Sequence, residues 1–400
     1  MIRSFLCAIS VPLVYLMVPI KTLAWTTRHE WLRGLILEFT SAADFLLTGL
    51  HVQNKVLLLT AQAFGGGNFL FGRAVMVVEH TAAAEALSRP HMRGSLFMGL
   101  PIVGYSPSSF ATNAGPIAVG QPARAILRRH LDEQVLKPEH SSIDPDALRA
   151  QCAGALREWV EHPQRNHFVW LRATVTRMLS LTLASVDISL EESQRVTKAY
   201  LRRFAELSAF SYYAPALLSL LGTHEAVRRE VYFPLKARGI DPLIIDMMMF
   251  AGMFSVGTIV MKCVDHCRIY NVDYLGLSSR QRTAFVIESL RLFPTVSTAH
   301  RILEQPEAVT LRGRRLIVGA GREIAYPFVC IHRNPRIFPD PEALRLDRPP
   351  SELTQILSWS KGPHACPARD LSVMITVLML DSLAGAEGDL RQTKIVNFEV

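Results

Sequence analysis

Cys366 lies in the run Trp359-Ser-Lys-Gly-Pro-His-Ala-Cys-Pro-Ala-Arg-Asp370, with Gly362 four residues before it and a long apolar stretch behind it. A thiol presented from a rigid turn at a helix start can hold a metal as thiolate, because the N–H groups of a helix N-terminus favour an anion. Gly362 permits a bend that a Cβ would hinder, and Pro363 and Pro367 stiffen the loop. Upstream, Glu288 and Arg291 stand three apart in Glu-Ser-Leu-Arg-Leu-Phe-Pro-Thr-Val, on one face of a helix. A charged pair beside Ile287, Leu290 and Leu292 is partly buried and needs a third partner to satisfy the arginine fork. Arg348, at the end of the Pro-rich segment that begins at His332, offers that partner.

The order Glu-x-x-Arg, Pro-rich segment, Cys loop resembles the cytochrome P450 family, and more narrowly its membrane-anchored, fungal-like eukaryotic members. The resemblance is clear from about Asp241 to Asp381 and fainter over Gln121 to Arg129. It implies a mainly α fold with small β-sheets around a buried haem b, iron-protoporphyrin IX, whose iron takes Cys366 as axial ligand. The thiolate would push electron density onto the iron and favour O–O cleavage. By the same resemblance Glu288, Arg291 and Arg348 form a structural triad that locks the Cys loop. Arg128, Arg301 and His364 would pair the haem propionates, a sensible set of cations for a buried anionic cofactor. Trp359 takes the place of the usual Phe and would shield the sulfur. Ala368 takes the place of a Gly and is tolerable unless its φ is positive.

The largest departure falls on the long apolar helix expected to cross the haem. The family pattern there is small-Gly-x-acid-Thr, whose acid and hydroxyl pass protons to bound dioxygen. Here the matching residues are Ala251-Gly252-Met253-Phe254-Ser255, so Phe254 replaces the acid and Ser255 the Thr. A shifted register uses Thr258 as the hydroxyl but then puts Gly257 where the acid belongs. Asp246 lies about two and a half turns from Ser255, too far to substitute. Heterolytic cleavage needs protons delivered to the distal oxygen, and Phe254 delivers none. Ser255 is the candidate catalytic hydroxyl, although bonding back to its own helix is the more ordinary fate of such a serine.

Composition bounds the reading. Four hundred residues suffice for one large domain. Hydrophobic content is 49%, and mean hydropathy is +0.20. The six Cys have no regular spacing, which argues against a disulfide framework. Cys263 and Cys267, four apart, read as helix packing in the absence of a second ligand pair. Net charge is +8, a balance that suits anionic lipid headgroups or an acidic redox partner. Gly319-Ala-Gly321 completes no phosphate-binding signature, and no nucleic-acid partner enters the reading.

Phe5 to Ile20 carries no charge, and more positive charge follows it (Lys21, Arg28, Arg33) than precedes it (Arg3). Residues 1–25 therefore read as an N-terminal membrane anchor, single-pass in the endoplasmic reticulum, with residues 26–400 as a cytosolic haem-thiolate domain. Lys21 must then snorkel. A cleaved signal peptide and a surface-lying amphipathic helix are the rival readings. Residues 62–79 read as a turn and short strand, 98–120 as a loop over the distal haem face, 121–235 as helices, and 308–331 as a small sheet. The stretch after Cys366 is short for an anchored family member, which leaves the far pocket wall open.

Three functions fit these residues. One is a monooxygenase oxidising an apolar small molecule in specialised metabolism, with electrons from an external NADPH-dependent reductase. Another is a redox-neutral haem-thiolate isomerase, dehydratase or hydroperoxide-rearranging enzyme. The third is a non-catalytic haem-binding protein.

Overall fold

The computed structural model describes residues 12–23, 29, 31–32, 35–36, 39–40, 43, 53–71, 74–89, 93–95, 144–213, 220–241, 244–245, 247–362 and 365–396. The chain forms two compact units: residues 1–98, 291–343 and 354–365 make up the first, and 99–290, 344–353 and 366–400 the second.

The first unit is where the β-structure lies. It contains helices α1 (Pro12–Leu23), α2 (Gln53–Ala63) and α3 (His80–Ser88). Its strands are β1 (Phe69–Phe71), β2 (Ala74–Met76), β3 (Arg93–Ser95), β4 (Thr298–Ile302), β5 (Glu307–Leu311), β6 (Arg314–Val318) and β7 (Glu323–Pro327). Five of them make one sheet in the order β1-β2-β7-β4-β3. Its β2 and β7 run parallel, with Val75 opposite Ile324, and its other pairs are antiparallel. Strands β5 and β6 form a separate hairpin closed by Arg312 and Gly313, both at positive φ, as a two-residue primed turn requires. The strands expected over 308–331 are present but divided between this hairpin and the five-stranded sheet, and the stretch 62–79 holds a turn followed by β1 and β2. Phe69, Phe71, Val75, Ile324, Tyr326 and Phe328 fill the core beneath it.

Helix α1 overlaps the segment read as an anchor. Val14 and Val18 belong to this core. Lys21 does not snorkel: it is buried, donates to the Leu70 carbonyl at 3.2 Å and lies 5.5 Å from the Phe71 ring centroid. A lysine with a carbonyl acceptor and an aromatic face within reach satisfies its donors inside the fold. Residues 1–11 of the expected anchor lie outside the described residues.

The second unit is helical. It contains α4 (Pro145–Glu161), α5 (Phe168–Ala184), α6 (Leu190–Tyr213), α7 (Phe254–Ile269), most of α8 (Ser279–Leu292) and α9 (Arg369–Glu387). Helix α4 begins at Asp144, whose side chain accepts from the Asp146 N–H, with Pro145 in its first turn. Helix α5 is buried nearly all round and packs on α4, α6 and α7. Its hydroxyls Thr174, Thr176 and Thr182 donate to carbonyls one turn back, which removes the cost of burying them. A π-helical turn, Met247–Met253, leads into α7 without a break. The apolar stretch Met247–Ile269 is long enough to cross a membrane, yet here it packs on α5 and α9 as a core element. Helix α9 is tied down at Asp381, which accepts from Arg149, Arg282 and the Tyr274 hydroxyl, each at 3.0 Å.

Candidate haem-thiolate site

In the second unit Glu288 and Arg348 are both fully buried, with Arg348 Nε 2.9 Å from Glu288 Oε2. Nε lies off the hydrogen-bond axis, so this is an ion contact more than a straight bond. The same Oε2 accepts the Arg345 backbone N–H at 3.1 Å, and Arg348 Nη1 reaches Glu352 Oε2 at 2.7 Å. Two cationic and amide donors on one dry carboxylate keep the ion pair satisfied.

In the first unit Arg291, also fully buried, sits in a cage of carbonyls. Its Nη1 donates to Pro341 O at 2.7 Å and His332 O at 3.1 Å, and its Nη2 donates to Ala343 O at 2.8 Å. Those acceptors belong to the Pro-rich segment, so the arginine fork binds that segment's backbone. Arg291 thus belongs to a framework built on backbone atoms, and Glu288 in its own unit likewise holds the Arg345 N–H.

His332 is a member of this framework that the sequence motifs do not single out. Its Nδ1–H donates to Arg291 O at 3.3 Å, and its Nε2 accepts the Leu357 N–H at 2.8 Å. The ring lies between Phe328 and Phe338. Burial, then the Arg291 charge, pushes its pKa down to about 3, so the imidazole stays neutral and keeps the acceptor that Leu357 needs. Leu357 begins the approach to the Cys loop. The only signal in the sequence was the place of His332 at the head of the Pro-rich segment.

The loop itself bends as its residues require. Ser360 and Gly362 both have positive φ, 62° and 60°. A Cβ on Gly362 would stand 2.7 Å from the Ser88 Cα, so helix α3 leaves room only for hydrogen there. Trp359 is half-buried in a turn. His364 and Arg128 lie outside the described residues. Arg301, on β4, is buried, and its Nη1 donates to the His300 carbonyl at 2.8 Å.

Cys366 heads the second unit's last helix, two residues before the Ala368 cap position, where no side chain caps α9. Ala368 has φ −100°, so the missing glycine costs nothing. Among the described cysteines Cys366 alone is exposed. Burial pushes the Cys152 thiol up to about 11 and those of Cys267 and Cys330 up to about 12, and Cys263 rises as well. Three buried thiols and the partly buried Cys330 are therefore held protonated, and Cys366 is exposed at the positive end of a helix. Within the second unit the residues present fit a haem held through sulfur: an exposed thiol and a helix start that no side chain caps.

Ser255 lies in the first turn of α7, half-buried, and its hydroxyl makes no hydrogen bond among the described residues. The back-bonding expected of it falls instead to Thr258, which donates to Phe254 O at 2.7 Å. Phe254 itself turns toward α5 and α6, its ring centroid 4.8 Å from the Arg172 guanidinium and 5.0 Å from that of Phe204. Gly252 faces α5 too, since a Cβ there would collide with Leu179.

A helical chain with small sheets, and a thiol at the start of its last long helix, has the architecture of the haem-thiolate proteins. Residues 282–383 match the family model described as Cytochrome P450, and the chain shares its fold with solved cytochrome P450 structures. A substrate-free Mycobacterium marinum cytochrome P450, CYP150A6, superposes with a TM-score of 0.56 at 15% identity, over 83% of this chain and 87% of that one. In sequence the chain is 34% identical over 119 residues to Psi-producing oxygenase A of Emericella nidulans, 28% of this chain and 11% of that protein. It is 33% identical over 103 residues to linoleate diol synthase of Gaeumannomyces graminis, 24% of this chain and 8% of that protein. The match thus spans about a tenth of the length of these curated relatives.

Proposed function

We propose that the protein is a haem-thiolate oxidoreductase that oxidises an apolar small molecule as a monooxygenase, in specialised metabolism. The observation that carries this reading is the exposed thiol of Cys366 at the start of α9, which no side chain caps, with α7 packed against that same helix. Haem b would supply the redox centre, with Cys366 as its axial ligand and Arg128, Arg301 and His364 as partners for its propionates. Trp359 would shield the sulfur. Glu288, Arg291, Arg348 and His332 hold backbone in place and touch no substrate. Ser255 would be the hydroxyl of α7 that passes a proton, since the Thr258 hydroxyl is committed to the Phe254 carbonyl. Electrons would come from an external NADPH-dependent reductase.

The uncharged run Phe5–Ile20 supports attachment to the endoplasmic reticulum membrane, and the net charge of +8 supports contact with anionic headgroups.

The test is spectroscopic and then catalytic. Reduced protein exposed to carbon monoxide should absorb at the thiolate position, and Cys366→Ala should lose that band. With reductase, NADPH and substrate, product should appear with matched consumption of dioxygen.

A second reading, a redox-neutral rearrangement of a substrate that already carries a peroxide, has its own support. Phe254 removes the acid from α7, and its carbonyl and the Thr258 hydroxyl are taken up within the protein. One relative is named for the synthesis of a linoleate diol. Product formed from a lipid hydroperoxide without NADPH or dioxygen would favour it over the first.

A further inference from the structure

The helix that carries Ser255 is gripped by a buried cation. Arg172, on α5, is 5% exposed. Its Nη1 donates to Phe254 O at 2.8 Å and more distantly to Met253 O at 3.4 Å. Its Nη2 donates to Thr258 Oγ1 at 2.8 Å. Thr258 in turn donates to Phe254 O, so one carbonyl receives both donors. That carbonyl lies where the π-helical turn passes into α7, the kind of place where an inserted side chain disturbs the i→i−4 ladder.

Nothing acidic accompanies the cation among the described residues. Its guanidinium is flanked by the rings of Phe254 and Phe168, and Nε has no hydrogen-bond partner there. Burial pulls its pKa down to about 10, which still leaves it charged at neutral pH. A buried arginine with no carboxylate is a poor way to join two helices, because a leucine or methionine would pack there without desolvating a charge. The sequence makes room for it all the same: a Cβ on Gly257 would stand 2.7 Å from the Arg172 Cγ. Arginine and glycine are thus a fitted pair, one on α5 and one on α7.

We propose that Arg172 is the positioning residue for the reacting turn of α7. Its fork holds the junction carbonyl and commits the Thr258 hydroxyl, which leaves the Ser255 hydroxyl as the one free to serve reactants. The proposal rests on the reading of α7 as the helix that faces the haem.

The test uses the full chain, with and without haem. Arg172→Met removes the fork at similar length, and Arg172→Lys keeps the charge without it. Hydrogen exchange across residues 247–258 should quicken at least tenfold in Arg172→Met and be partly restored in Arg172→Lys. In the haem-loaded protein the C–O stretch of the reduced carbon monoxide complex should broaden or split in Arg172→Met. If that variant is recovered unfolded, Thr258→Val, which cuts one arm of the grip, should show the same change in the C–O band. Unchanged exchange and an unchanged band in a folded variant would overturn the proposal. The exchange measurement on haem-free protein is independent of the haem reading, and a wild-type chain that takes up no haem would defeat that reading alone.

Discussion

Single residues carry sharply different burdens here. Gly362 has φ +60° and no space for a methyl against Ser88. Gly362→Ala should cost about 1–2 kcal/mol in backbone strain, with the clash in addition. Urea denaturation and haem content would measure it, and a variant as stable as the parent would contradict the geometry. His332 makes a pH prediction. Its folded pKa is near 3 against an ordinary value of 6.5. Above pH 6.5 both folded and unfolded states are neutral at this ring, so it contributes no slope. Below pH 6.5 the unfolded chain binds a proton that the folded chain refuses. Stability should therefore fall as pH drops from 6.5 toward 3, by up to about 1.4 kcal/mol per unit. His332→Gln should flatten that slope in urea titrations between pH 6.5 and 4, and equal slopes would remove His332 as its source.

Elements explain why some of this was legible and some was not. Cys366, Gly362, Glu288 and Arg348 stand in short local phrases whose spacing is itself the signal, and each phrase could be read without knowing what packs on it. The hairpin β5–β6 was legible for the same reason, since alternation and a Gly at the turn are local. Arg172 was not. It sits in Phe-Val-Trp-Leu-Arg-Ala-Thr-Val-Thr-Arg, which reads as an ordinary helix, and its acceptors are a carbonyl and a hydroxyl on a distant segment. Which hydroxyl on α7 bonds back was not legible either: Thr258 does so to Phe254 O, and its local sequence gives no sign of it. The wide turn before α7 likewise leaves no mark in composition. At this scale the triad gives a prediction. Glu288→Ala strands the buried Arg348 and should cost roughly 3–5 kcal/mol, seen as little folded, haem-loaded protein. Normal haem loading with lost turnover would instead make Glu288 catalytic. Asp381→Ala, which releases Arg149, Arg282 and Tyr274 together, should lower stability by about 1.5–3 kcal/mol or more in the same assay.

For the molecule as a whole, the fold class was legible, and hydropathy also marked the N-terminal segment without saying what it packs against. Hydropathy alone cannot distinguish a run that enters lipid from one that enters a core, and α1 places Val14 and Val18 in the first unit's core. If Phe5–Ile20 also anchors the chain, membranes washed with alkaline carbonate should retain the protein. Its release into the wash would leave α1 as a structural helix only.

An open thiol among sequestered ones also offers a chemical handle. A maleimide added to the folded, haem-free chain should modify position 366 ahead of Cys152, Cys263, Cys267 and the partly buried Cys330, whose burial suppresses their thiolates. Once iron claims that sulfur, the reagent should find nothing to alkylate there. Protection from alkylation, counted by mass spectrometry, would then report occupancy without any knowledge of the substrate.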